Sequence, residues 1–202
     1  MAEILTTVFF MFAVIDPIGT IPVYLEATKE FDIIHKKKIA IRASIMAFLI
    51  LLFFIVIGQI ILDGMEVSLD AFQISGGVIL FLFALTMIFG EGKPEQEKNR
   101  ITDYKHVTIF PIAIPSLASP GAIMAVVLMT NNQIYSIQEQ AITSFIVLIV
   151  LGITCLILLT ANYLQKLIGS YGITVLSKIM GLILASYAVQ SILSGISNYF
   201  IN

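Results

Sequence analysis

Charge is scarce in this 202-residue chain: Asp, Glu, Lys and Arg make up 12% of it, about half the share of an ordinary soluble domain. Hydrophobic residues reach 58% and the mean hydropathy is +1.00, so there is too little polar material to coat a water-soluble fold. Cysteine is nearly absent. Cys155 stands alone, which excludes an intramolecular disulfide framework and a cysteine-only metal site. The two histidines, His35 and His106, lie 71 positions apart with no ligand-like motif around either. No P-loop, dinucleotide glycine fingerprint or metalloprotease helix motif occurs. The net charge is −2 with no block of one sign, which argues against nucleic acid as a partner. What remains is an integral membrane protein whose first partner is the lipid bilayer.

A bilayer core of about 30 Å takes roughly 20 helical residues to cross. Residues 43–62, 71–90, 107–138, 140–165 and 179–202 carry no Asp, Glu, Lys or Arg, and residues 4–28 carry only Asp16 and Glu26. These runs predict six transmembrane helices at about 3–28, 40–62, 70–89, 107–130, 140–165 and 173–200. A β-barrel is disfavoured because the runs do not alternate apolar and polar residues. The first segment has no basic n-region and no small-residue cleavage site, so it reads as a retained helix and not as a signal peptide.

Basic residues set the orientation. Lys29, Lys36, Lys37, Lys38 and Arg42 lie between helices 1 and 2; Lys93, Lys98, Arg100 and Lys105 between helices 3 and 4; Lys166 and Lys178 around the connection from helix 5 to helix 6. The connections at 63–69 and 131–139 hold acids only, such as Asp63, Glu66 and Glu139. Positive residues stay cytoplasmic. The expected topology is a multi-pass membrane protein with both termini extracytoplasmic.

The chain also resembles itself at an offset of 103–105 positions. Gly76 aligns with Gly181 and Gly90 with Gly195, while Asp16-Pro17 in helix 1 aligns with Ser119-Pro120 in helix 4. Each half holds three helices, an odd number, so the second half must cross the membrane upside down. The expected fold is therefore all-α: six transmembrane helices as two inverted three-helix repeats, helices 1 and 4 broken at mid-membrane. Residues 1–90 form the first repeat, 91–106 a cytoplasmic linker, and 107–202 the second repeat. Inverted repeats are a signature of secondary transporters, with the binding site at the midplane.

Pro17 and Pro120 cannot donate a backbone hydrogen bond, so each helix should break there. Asp16 and Ser119 are preferred N-cap types, and proline suits the first helical position after a cap. Gly19 and Gly121 follow closely, and Pro22, Pro111 and Pro115 loosen the same two helices. Two helix N-termini would then converge at mid-membrane and favour an anionic group. With the carboxylate of Asp16 beside them, they suit a small zwitterion such as an amino acid. Asp16 either meets the substrate ammonium, with a proton relay as a further step, or only caps its own half-helix; an acid at that depth is costly. The candidate substrate-binding set is Asp16, Pro17, Gly19, Thr20, Ser119, Pro120 and Gly121. Gly76, Gly77 and Gly181 read first as close helix packing, and join the set because a packed glycine can also line a site. No cofactor or metal is implied. Gln190 reads as an interhelical hydrogen-bond partner, Cys155 as a buried small hydrophobe, and Glu26 as a solvated residue near the interface.

The stretch from Phe12 through Asp16-Pro17-Ile18-Gly19-Thr20 to Val23, and that from Pro111 through Pro115 and Ser119-Pro120-Gly121 to Ile123, resemble the first- and fourth-helix motifs of the MarC family of bacterial and archaeal membrane proteins. Ile74-Ser75-Gly76-Gly77 and the stretch from Ile179 through Gly181 to Ala185 are similar to its third and sixth helices. The resemblance implies a six-helix inner-membrane protein, in a family some of whose members transport small neutral amino acids such as glycine and alanine.

Three other functions compete with a carrier of that kind. A passive channel or facilitator also uses broken helices, but would show flux without counterflow. An exporter of drugs or other metabolites would want a larger, aromatic-lined cavity, against the small residues flanking both breaks. An enzyme would need a nucleophile with its base, or a metal cluster, at one depth; a single acid with no histidine in the membrane offers neither. Self-association into a homo-oligomer is left open by the sequence.

Overall fold

In lipid, backbone N–H and C=O groups must find partners within their own segment or an adjoining one, and helices do this with local bonds alone. The computed structural model describes residues 2–89, 104–132 and 134–201, and among these it is helical with no strand. The elements are α1 (Ala2–Ile15), α2 (Pro17–Thr28), α3 (Ile33–Gly64), α4 (Leu69–Phe89), α5 (Tyr104–Val107), an irregular stretch of wide helical turns (Thr108–Leu117), α6 (Pro120–Met129), α7 (Ile137–Leu159) and α8 (Ala161–Ile201). Five segments are long and apolar enough to cross a bilayer; the bent pair Tyr104–Leu117 and Pro120–Met129 supplies a sixth.

Several boundaries differ from the sequence reading, each for a local reason. The second span begins at Ile33, because the side chain of Asp32 accepts the His35 N–H and starts the helix there. Lys36, Lys37, Lys38 and Arg42 therefore ride on the first turns of α3. The fifth span stops at Leu159 and not near 165: Thr160 takes a non-helical conformation and a new helix starts at Ala161. That helix is interrupted at Gly169 (φ 74°, ψ 162°), and the crossing segment runs Tyr171–Phe200. Most of the linker at 91–106, including Lys93, Lys98 and Arg100, lies outside the described residues, as does Gly90.

Packing fixes the relative directions. A Cβ built on Gly77 would lie 3.1 Å from the Ala188 carbonyl oxygen, one on Gly181 3.1 Å from that of Ala84, and one on Gly195 3.1 Å from that of Asp70. Seven-residue steps up α4 thus match seven-residue steps down α8, so the two helices are antiparallel in one register. By contrast α3 runs parallel to the fourth span. Arg42 reaches Tyr104, donating to its hydroxyl at 3.4 Å and lying 5.6 Å from its ring centre, while Gly58 faces Val127 further along. Both relations agree with a chain that reverses at every crossing.

The pattern of neighbours is also balanced between the two halves of the chain. α4 packs on α8 and α3 on α7. α1 touches α6 as α2 touches the 108–117 stretch; α1 touches α7 as that stretch touches α3; α2 touches α7 and α8 as α6 touches α3 and α4. Small side chains permit these approaches: Ala40, Ala43 and Ala47 of α3, Ala84 of α4 and Ala188 of α8 are buried.

Candidate functional site

The first break grows from three adjacent residues. Asp16 donates its N–H to the Phe12 carbonyl at 3.0 Å, which completes α1. Pro17 has no N–H and its ring would clash with the preceding turn, so the helix cannot simply continue. Asp16 takes a left-handed conformation (φ 51°, ψ 65°), which aspartate tolerates better than most residues with a Cβ. From there its Oδ1 accepts the Gly19 N–H at 2.9 Å, and its carbonyl accepts the Thr20 N–H at 3.1 Å and the Thr20 hydroxyl at 2.9 Å. Glycine is required at 19: a Cβ there would sit 2.0 Å from Asp16 Oδ2.

The second break reaches the same end by a different backbone. Ala118 closes the preceding stretch with an N–H bond to Ala113 O at 2.9 Å. Ser119 is extended (φ −70°, ψ 158°), its Oγ accepts the Ala122 N–H at 3.1 Å and its carbonyl accepts the Ile123 N–H at 2.9 Å. The two parts of the span meet at 56°. Before the break, extended backbone at Phe110 and Ile114 and cis peptide bonds to Pro111 and Pro115 keep the chain from regular helix.

At each cap the bookkeeping of first-turn donors is the same. Proline removes the first N–H, and the cap side chain takes the third. The second belongs to Ile18 on α2 and to Gly121 on α6. The breaks adjoin one another across the bundle: a Cβ on Gly121 would be 3.8 Å from Val14, two residues before Asp16, and 3.0 Å from Leu80 of α4.

Asp16, Pro17, Thr20, Ser119 and Gly121 are all buried, Gly19 is half-buried and Pro120 is exposed. Asp16 is 2%, Ser119 1% and Thr20 0% exposed, so both capping side chains lie inside the bundle. Gly76 is buried against Met124 of α6, next to the second break. Gly77 and Gly181 instead meet the facing helix of the α4–α8 pair. Gln190 is exposed on α8 and not turned toward a neighbouring helix, because the buried stripe there runs through Gly181, Leu184, Ala188 and Ser191. Cys155 is half-buried. Glu26 is exposed and pairs with Lys29 at 2.7 Å.

Sequence reasoning did not find a cleft of about 620 Å³ at the end of the bundle where α3 meets α4. Gln59, Asp63, Glu66, Asp70, Asn131 and Asn198 contribute its polar lining. Its residues come from three separate stretches of chain, 59–70, 131–134 and 198, and only the acids Asp63 and Glu66 were visible as a group beforehand. Among the described residues no group of three or more His, Cys, Asp or Glu could hold a metal ion.

Helices of this length and apolarity, with two capped interruptions buried among them, define a multi-pass, all-helical membrane protein. The chain belongs to the MarC family: residues 1–200 match the family described as MarC family integral membrane protein. Among its relatives is a UPF0056 membrane protein of Buchnera aphidicola subsp. Acyrthosiphon pisum, 33% identical over the whole of both chains. A UPF0056 membrane protein of Methanocaldococcus jannaschii is 34% identical over 92% of each chain. One of Pyrococcus horikoshii is 33% identical over 94% of this chain and 92% of its own. No solved structure matches.

Proposed function

We propose that this protein is a secondary transporter of small neutral amino acids, glycine- or alanine-like, working by alternating access around two helices broken at mid-membrane. It acts as a carrier and not as an enzyme, in the inner membrane, with both termini extracytoplasmic. The observation that carries the reading is the likeness of the two breaks. Asp16 and Ser119, 103 positions apart, each cap a half-helix by accepting the N–H three residues on, with a proline next in the chain and a glycine in the first turn.

The balanced neighbour pattern supports two inverted three-helix repeats, 1–90 and 107–202, joined by a cytoplasmic linker. Exchange of helices 1, 2 and 3 with 4, 5 and 6 maps most helix contacts onto one another. Inverted repeats supply the two conformations a carrier needs, since each half can adopt the arrangement of the other. The first-turn N–H groups of Ile18 and Gly121, one per helix end, are the candidates to hold the substrate carboxylate. Asp16 would face the ammonium while holding its cap, and its carboxylate is the candidate for proton coupling. Gly19, Thr20 and Gly76 are small residues beside the breaks, which favours a substrate with a small side chain.

Counterflow in proteoliposomes tests this. Vesicles loaded with unlabelled glycine, alanine or serine should accumulate the labelled amino acid, saturably and in competition only with small neutral amino acids. An imposed pH gradient reports coupling. Flux without counterflow would make the protein a channel, and no exchange by folded protein would remove the amino acid reading altogether.

A further inference from the structure

The connection between the fifth and sixth spans is longer than a turn and has its own architecture. Residues 161–168 form two helical turns bounded by the non-helical Thr160 and by Gly169, whose φ of 74° turns the chain before the next span. This short helix is two-sided. Ala161 is fully buried and Leu164 and Gln165 are half-buried, whereas Tyr163 and Leu167, one turn apart, are each 67% exposed. Tyr171 continues that line just past the break and is 91% exposed. Asn162 and Lys166 lie on the flank of the apolar pair and are also exposed.

We propose that residues 161–168 form an interfacial helix lying in the headgroup layer, with Tyr163, Leu167 and Tyr171 inserted at the acyl boundary and Asn162 and Lys166 toward water. The chain itself identifies the occupant of the apolar side as lipid. The helix starts two residues after one crossing segment ends at Leu159 and finishes three before the next begins at Tyr171, so at about 1.5 Å per residue it cannot leave the membrane surface. At that level an apolar line beside a polar flank is the pattern of a helix lying in the plane of the interface. Tyrosine, with an apolar ring and a polar tip, suits that depth.

The chain contains no tryptophan, so one introduced indole reports on one position. Leu167→Trp and Tyr163→Trp are compared with Lys166→Trp on the flank and Leu182→Trp on the outward face of the sixth span, each in the full chain in phosphatidylcholine vesicles. The expected result is blue-shifted emission at 163 and 167, quenched by lipids brominated near the headgroup end of the acyl chain and poorly by aqueous iodide. Position 166 should show the reverse, and 182 should be quenched by deeply brominated lipid. Iodide quenching at 167 equal to that at 166 would overturn the proposal by placing the helix in water. Blue-shifted emission with no brominated-lipid quenching would overturn it in favour of a second copy covering the face.

Discussion

Gly77 lies against the carbonyl of Ala188, and one turn pair further on, Ala84 turns its carbonyl to Gly181, each glycine closing to a built-Cβ distance of 3.1 Å. The α4–α8 contact therefore brings the two backbones close together, with side chains of the facing helix packed over the glycines, as small residues allow in membrane helices. A Cβ on Gly77 would also meet Ile192 Cγ1 at 2.6 Å.

Enlarging these glycines should separate the helices. Gly77→Val and Gly181→Leu are each expected to lower stability by about 1–3 kcal/mol, as overpacking does. Gly152, around which a Cβ would meet nothing within 4 Å, is the control: its change to Ala should be neutral or stabilising by up to about 1 kcal/mol. Thermal unfolding in detergent, followed by helical circular dichroism, orders the three variants.

Capping and charge can be separated at Asp16. Asparagine caps as well as aspartate and tolerates the left-handed conformation, so Asp16→Asn should unfold within about 0.5 kcal/mol of the parent. Asp16→Ala loses a cap for about 1 kcal/mol and pays a left-handed conformation for about another 1–2 kcal/mol. If the carboxylate also serves transport, Asp16→Asn abolishes counterflow while leaving stability intact. Equal counterflow in parent and Asn variant would confine Asp16 to the cap.

Gly19→Ala should reproduce the cap loss of Asp16→Ala without its left-handed cost, since its Cβ would fall 2.0 Å from Asp16 Oδ2 and drive the carboxylate off the first turn. The expected loss is about 1 kcal/mol for the cap, with Gly19→Ala adding little on top of Asp16→Ala in the double variant. Additive losses would mean that the two residues act independently.

Membrane-spanning character was legible in the composition, and the caps in two dipeptides, because a proline directly after Asp16 or Ser119 leaves the backbone few alternatives. What the sequence hid was set by contacts between distant segments. Gly77 and Gly181 look the same in sequence as Gly76, yet only the facing residue, Ala188 or Ala84 against Met124, tells a helix seam from the edge of a break. The early end of the fifth span was hidden for another reason: residues 160–165 are uncharged, and hydropathy does not register the turn at Thr160. Gln190 misled because polarity inside an apolar run does not say which side of the helix it occupies.

Orientation is open to a direct chemical test. Cys155 is the sole cysteine, so Cys155→Ser gives a background in which single cysteines at 37, 66, 136 and 166 can be labelled in intact cells with a membrane-impermeant thiol reagent. Labelling should occur at 66 and 136 and be absent at 37 and 166 until the cells are opened. The inverse pattern would reverse the topology and turn both termini to the cytoplasm.

The first turn of α3 should respond to acid. Asp32 is exposed in the connection before the helix, and its carboxyl is held below the usual carboxylate range by the His35 backbone N–H first and by the His35 ring second. A depressed folded value means that the folded state binds its proton less readily than the unfolded one. The cap therefore contributes fully above the ordinary carboxylate range near about pH 4, and its contribution fades as pH falls through the lowered value. Amide hydrogen exchange at residues 33–36, corrected for its intrinsic pH dependence, should show protection that is flat near neutrality and declines below about pH 4. Asp32→Asn should keep the cap and remove the decline, because asparagine accepts the same bond with nothing to titrate. An unchanged acid profile in that variant would assign the loss to some other group.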